Sequence, residues 1–277
     1  MAGTESMNGQ GSKFFLSKWF FDFTAETGEA MIFYSARLDY YTWRADYTCW
    51  LNYDPISGTS EISRFDNVPV PFVKDGVITL NDPVSGVSGT WESMAPMVQS
   101  RIFQSGEGFV DWNCFQPLSS VKIKIHDRNL AGRGYVEQTV LTIPPWKIRI
   151  RELKWGHFIS EEYNIVWIGL ENREIQHWTW VNGEIIHECI IRNDVIIIPE
   201  KGLELSLDMD VTLESEKKIM SVIKKIFRYI PVFKRTIPGE FLMADERKWL
   251  SKSSLKIRDI LLAKGMSIHE HVKFNSD

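Results

Sequence analysis

The chain has 277 residues, 44% hydrophobic and 25% charged, with a formal net charge of −4. That length and composition allow a substantial core and two domains of ordinary size, and they argue against disorder. No basic domain stands out, which argues against a nucleic-acid partner. The cysteines Cys49, Cys114 and Cys189 are scattered with no CxxC pair, which argues against a disulfide framework and a zinc site and fits a reducing, cytoplasmic setting.

Residues 1–12 are polar and rich in Gly and Ser, without the charged-then-apolar pattern of a secretory signal, and are expected to be a flexible leader. No run of 18 apolar residues follows anywhere, so no membrane-spanning helix is expected. Strand signals then dominate. The apolar runs are Trp19–Phe23, Met31–Leu38, Val77–Leu80, Val121–Ile125, Tyr135–Ile143, Ile165–Leu170, Glu174–Trp180, Glu184–Ile190 and Val195–Pro199. Turn residues separate them: Glu26-Thr27-Gly28, Asp75-Gly76, Asn182-Gly183 and Asn193-Asp194. Asn-Gly is a strong hairpin signal because both residues tolerate positive φ. Short strands at this spacing predict a sandwich or barrel.

Two stretches are faintly alike. Trp19 to Phe23, a polar turn and the strand ending at Arg37-Leu38 match Trp155-Gly156-His157-Phe158, a polar turn and Ile165–Leu170. This predicts two related domains, 13–128 and 129–277. Ser215 to Ile230 breaks the β pattern. Ile219, Val222, Ile223, Ile226, Phe227 and Ile230 fall at helical spacing, with Lys217, Lys218, Lys224, Lys225 and Arg228 opposite. Ser215 is the expected N-cap and Pro231 the stop. Such a helix can touch a membrane surface, cover a cavity mouth, or pack its apolar stripe on the β-domain; the last is the commonest arrangement.

The aromatic content, 11 Trp, 16 Phe and 8 Tyr, suits strands and an apolar cavity for a flat or polyunsaturated ligand. His269-Glu270-His271 places two imidazoles on one strand face, a pattern more often of surface or hydrogen-bonded histidines than of a metal site. Gly132-Arg133-Gly134 reads as a tight turn. No motif calls for an organic cofactor or metal. On a strand, Tyr135 and Glu137 share a face, as do Trp155 and His157. A carboxyl buried without a cation has a raised pKa and can act as acid or base. The alternative is a structural carboxylate paired with Arg133, Arg149 or Arg151.

The run Gly132-Arg133-Gly134-Tyr135-Val136-Glu137, followed by Leu153-Lys154-Trp155-Gly156-His157-Phe158 and Val166-Trp167-Ile168, resembles the carotenoid 1,2-hydratase and AttH-like superfamily. Trp19 to Phe23, Lys248-Trp249 and Ile268 to Val272 resemble that group's opening and closing strands. The resemblance implies a mainly β protein of two tandem lipocalin-like antiparallel domains. It also implies cofactor-free chemistry on a hydrophobic substrate: hydration, cyclisation, isomerisation or Diels–Alder closure, as in tocopherol-cyclase-like and fungal relatives. Glu137 and Tyr135 become the expected catalytic pair, with Trp112, Trp155, His157 and Trp167 lining the substrate. The hydratase branch has Asp where this chain has Glu137, and a catalytic histidine upstream, whereas no histidine precedes His126 here; a pericyclase and a lipid-binding protein therefore stand as alternatives.

Overall fold

The computed structural model describes residues 14–66, 68–172, 174–215, 222, 224–226 and 229–274. The leader expected at 1–12 lies outside them. The first ten strands are β1 (Phe14–Ala25), β2 (Ala30–Tyr40), β3 (Trp43–Asp54), β4 (Gly58–Arg64), β5 (Phe72–Lys74), β6 (Val77–Asp82), β7 (Val87–Ser93), β8 (Val98–Ser105), β9 (Gly108–Ile125) and β10 (Arg128–Leu141). The next ten are β11 (Glu152–Ile159), β12 (Asn164–Glu171), β13 (Ile175–Val181), β14 (Glu184–Ile186), β15 (Ile190–Ile191), β16 (Val195–Ile198), β17 (Leu203–Leu207), β18 (Val211–Ser215), β19 (Asp245–Ile257) and β20 (Ile260–Lys273).

They form two ten-stranded antiparallel sheets with one topology. The first runs β4-β3-β2-β1-β10-β9-β7-β6-β5, with β8 on β9. The second runs β14-β13-β12-β11-β20-β19-β17-β16-β15, with β18 on β19. The repeat extends to residue register. Phe20 pairs with Glu137 across β1 and β10, and Trp155 pairs with Glu270 across β11 and β20. A Cβ added at Gly132 would strike the Thr24 carbonyl and the Phe23 ring; one added at Gly265 would strike the Ile159 carbonyl and the Phe158 ring. Phe23 therefore corresponds to Phe158, Asp22 to His157, Phe20 to Trp155 and Glu137 to Glu270. The sheets repeat one another, as the likeness of Trp19 and Trp155 suggested, but with Trp155 at the position of Phe20 rather than Trp19.

The sheet changes between Leu141 and Glu152, not at 128. The division expected at 128 fell on the β9–β10 hairpin turn, where His126 has a φ of 52°. Both strands of that hairpin belong to the first sheet, because β10 closes onto β1.

Strand alternation sorts the side chains. On β1, Phe21 and Phe23 enter the first sheet's own core with Phe33, Trp50 and Trp91. The second sheet has a matching core around Phe158, Trp167 and Leu205. The other face of β1 carries Phe14, Leu16, Lys18, Phe20 and Asp22, and it looks toward the second sheet. A third cluster there joins Phe20, Tyr34, Trp112 and Tyr135 to Trp155, Val166, Ile168 and Trp180. The gap between the edges of the first sheet is bridged by side chains. Arg64 Nη2 donates to Asp82 Oδ1 at 2.6 Å, and Trp50 Nε1 to Asp82 Oδ2 at 2.7 Å.

Ser215, the expected N-cap, ends β18, paired with Arg247 of β19. Val222 and Lys224–Ile226 are helical, and short helices follow at Phe233–Thr236 and Gly239–Leu242. The rest of the helix expected over 215–230 lies largely outside the described residues. Val222 and Ile226 face a cavity against the first sheet, while Lys224 and Lys225 are exposed, so this apolar stripe packs inward. No described helix is long and apolar enough to cross a membrane.

Candidate active site

The join between the sheets brings five of the six expected residues together. Glu137 stands on β10 beside Phe20. Its Oε2 accepts from Trp112 Nε1 at 2.5 Å, from the Tyr135 hydroxyl at 2.6 Å and from Trp155 Nε1 at 3.1 Å. Trp155 comes from the second sheet; the other two donors come from the first. Gly132 and Gly134 are strand residues rather than a turn. Their missing side chains let β10 lie against the Thr24 and Asp22 carbonyls. Pro117 cannot donate to a ladder, and β9 carries two register shifts around it, opposite Gly134 to Glu137. Glycine and bulge together bring Tyr135 and Glu137 onto the inter-sheet face.

Glu137 is 7% exposed, and it has no ion pair among the described residues. The arginine partner considered from the sequence does not hold: Arg133 donates to the Ser160 carbonyl at 3.3 Å. Burial pushes the Glu137 carboxyl up, against its hydrogen bonds from Tyr135 and Trp112, the charge of Lys18 and the Trp155 bond. Oε2 takes all three donors, and Oε1 has no hydrogen bond among the described residues. A neutral Glu137 therefore carries its proton on Oε1. Trp112 and Trp155 turn their N–H groups onto the carboxylate, so they orient the acid more than they wall a ligand. Trp112 also stacks on Trp180, with centroids 4.9 Å apart.

His157 lies beneath this group. Its ring stacks on Tyr135 with centroids 4.5 Å apart and planes 3° from parallel. His157 Nε2 meets Asp22 Oδ2 at 2.5 Å, and both side chains are buried. Burial raises the Asp22 carboxyl, against His157 and the Tyr135 backbone N–H. Trp167 is not part of the site. It points into the second sheet's own core, filling the space left by Gly156. Alternation forces this, because its neighbours Val166 and Ile168 take the inter-sheet face.

Glu270, the counterpart of Glu137, has a different environment. Its Oε2 lies 2.7 Å from Lys248 Nζ, a fully buried ammonium that also lies 3.1 Å from Glu214 Oε2 and bonds the Tyr34 hydroxyl. One repeat position thus holds a carboxyl with neutral donors and the other an ion-paired carboxylate. Asp22, Tyr34 and the Lys248 group were not anticipated. The available signal was a charge in an apolar strand, Asp22 among four aromatics.

Beside this network lies a cavity of about 330 Å³. Leu16, Leu38, Trp146, Ile226, Phe233 and Phe241 supply apolar walls; Lys18, Tyr34, Glu214 and Glu246 are polar groups at one end. Glu137 does not line it. Lys18 is the link, since it lines the cavity and also acts on Glu137.

The fold is that of known proteins. CghA has a TM-score of 0.62 to this chain at 11% identity, over 96% of this chain and 90% of its own. A second CghA structure, with Sch210972, gives 0.53 at 10% identity over 95% and 89%. Kievitone hydratase of Nectria haematococca gives 0.54 at 12% identity over 94% and 88%. An AttH-like protein of Nitrosomonas europaea gives 0.56 at 7% identity over 95% and 93%. At these identities the likeness concerns the fold. No family model and no curated protein sequence matches the chain.

Proposed function

We propose that the chain is a cofactor-independent enzyme acting on a hydrophobic polyene, isoprenoid or polyketide-like molecule. Glu137 would donate the proton in a hydration, cyclisation or isomerisation. The observation that carries this is the contrast between the two repeats: Glu137 is a buried carboxyl held by neutral donors, whereas Glu270 is ion-paired to Lys248. Protonation of an alkene by Oε1–H leaves a carboxylate, and the Tyr135 hydroxyl and two indole N–H groups already point at its other oxygen. Donors fixed before charge develops need no reorganisation as it does. Acid catalysis of this kind contributes about 10²- to 10⁴-fold. Fold neighbours that include a hydratase, and a protein crystallised with Sch210972, support the reading.

One observation favours a second reading. The apolar cavity is bounded by Lys18 and Tyr34, not by Glu137. If the substrate reacts there, folding it into a reactive pose supplies the rate, as in a pericyclase.

The test begins with mass spectrometry of whatever organic molecule co-purifies. That molecule is then returned to stripped protein and its conversion followed. Glu137→Gln keeps an acceptor for all three donors; the acid reading expects binding to persist and turnover to fall about 10²-fold or more. Full turnover by this variant, with loss on Leu38→Ala, would transfer the assignment to the pericyclase reading. Recovery of the molecule unchanged from wild type would make the chain a binding protein.

A further inference from the structure

The segment that joins the sheets reads Trp146-Lys147-Ile148-Arg149-Ile150-Arg151. Its alternation has a structural meaning. Ile148 packs inward with Phe14, Ile230 and Phe233, and Ile150 lies against the same cluster. Lys147, Arg149 and Arg151 turn outward and line a groove of about 1000 Å³ with Phe241, Phe274 and Glu240. Lys147 is paired with Glu107. Neither Arg149 nor Arg151 has a side-chain hydrogen bond or ion pair among the described residues. Arg149 also holds a φ of 58°, a left-handed conformation that Gly or Asn adopts more cheaply.

The groove adjoins the apolar cavity. Pro145, Trp146 and Phe241 line both. Trp146 stands at the boundary, with its ring edge-on to Phe14 at 5.9 Å and to Phe233 at 5.4 Å. From Phe14 at this end to Lys18 at the far end is four strand residues, about 14 Å. We infer that the molecule bound by this protein is an amphiphilic anion, with its apolar part in the cavity and a carboxylate or phosphate head held by Arg149 and Arg151. Guanidinium groups suit both heads because they present paired N–H donors to paired oxygens. The inference rests on the cavity as the berth of the hydrophobic substrate, and it does not depend on Glu137 as the acid.

The test uses stripped full-length protein and measures binding of dodecanoate, dodecyl phosphate and uncharged dodecan-1-ol by calorimetry. The two anions are expected to bind about tenfold or more tightly than the alcohol, the size of a charge-assisted hydrogen bond. Arg149→Asn with Arg151→Gln should abolish that margin and leave the alcohol unchanged. Both positions are exposed, and Asn tolerates the left-handed backbone, so this variant is expected to fold. Ala36→Phe, which fills the cavity, should weaken acid and alcohol alike. Equal binding of acid and alcohol, no binding of either, or an anion margin that survives loss of both arginines would overturn the inference. So would arginine-dependent sedimentation with phosphatidylserine vesicles, which would assign the pair to a membrane surface. Glu137→Gln should bind dodecanoate as wild type does, so failure of the proton-donor reading registers in turnover alone.

Discussion

Asp22 and His157 occupy the same position in the two repeats and hydrogen-bond to each other across the join, Nε2 to Oδ2 at 2.5 Å. Phe20 and Trp155, also equivalent, meet edge-to-face with centroids 4.9 Å apart. Contact between equivalent positions is the mark of a two-fold interface, here formed within one chain. The equivalent positions nonetheless carry unlike residues, Asp22 against His157 and Phe20 against Trp155. An acid and an imidazole satisfy one another where two ionised carboxylates would repel. Removing one partner leaves a buried group without its bond. His157→Ala is therefore expected to cost about 3–5 kcal/mol in urea denaturation, and Asp22→Leu with His157→Leu substantially less. A loss below about 1 kcal/mol for His157→Ala would show that the pair does not hold the sheets together.

Glu137 should titrate above the ordinary glutamate value of 4.5, because burial outweighs its three hydrogen bonds. Between 4.5 and its folded value the native state binds more protons than the unfolded state. Stability from this group is therefore complete below 4.5 and declines as pH rises through that window. The indole N–H resonances of Trp112 and Trp155 should move together, with one midpoint above 4.5, and stay still in Glu137→Gln. That variant should also lose less stability than wild type between pH 4.5 and 8. A shared midpoint below 4.5 would contradict a protonated role.

His269 has the opposite sign. Burial, with the charge of His157 second, lowers it to about 3, while its Nε2 lies 2.8 Å from Ser251 Oγ. Its contribution is present above 6.5 and is lost as pH falls toward 3, because the unfolded histidine takes up a proton that the folded one refuses. The full loss is up to about 5 kcal/mol, from 1.36 kcal/mol per pH unit. Asp22 and Glu137 offset part of it on the same limb, since both are raised. The clean measurement is the difference between wild type and His269→Gln at pH 7 and pH 4. The variant should lose less on acidification; equal losses would mean that His269 titrates normally.

Tyr135 and Glu137 were legible in the sequence because they lie two apart on one strand, where period-two alternation alone puts them on one face. Trp155 and His157 were legible for the same reason. What joins these two pairs is sheet-on-sheet packing, and no local pattern encodes it. Lys248 and Glu270 were hidden for that reason too: they meet only through the β19–β20 register, and Tyr34 reaches them from residues far earlier in the chain. Trp167 was misjudged because local spacing cannot say which face of a doubly buried strand looks outward. The division at 128 failed differently, since a hairpin turn and a domain junction carry the same residues.

Gly132 and Gly265 test the repeat itself. Neither lies in a left-handed conformation, so the requirement is space. At each, a Cβ would fall closer to a neighbouring strand's carbonyl oxygen than any real Cβ comes, at Thr24 in one sheet and Ile159 in the other. Backbone cannot yield there without opening the β1–β10 or β11–β20 ladder. Gly132→Ala and Gly265→Ala should each cost about 3 kcal/mol or more, the upper range for overpacking. The two losses should be similar, because the obstacle is the same in both repeats. Gly106→Ala, in an open turn with nothing near its Cβ, is the control and should change stability by about 0.5 kcal/mol at most. If Gly132→Ala were tolerated as well as Gly106→Ala, β10 could not lie against β1 as closely as Glu137 needs to reach Trp155.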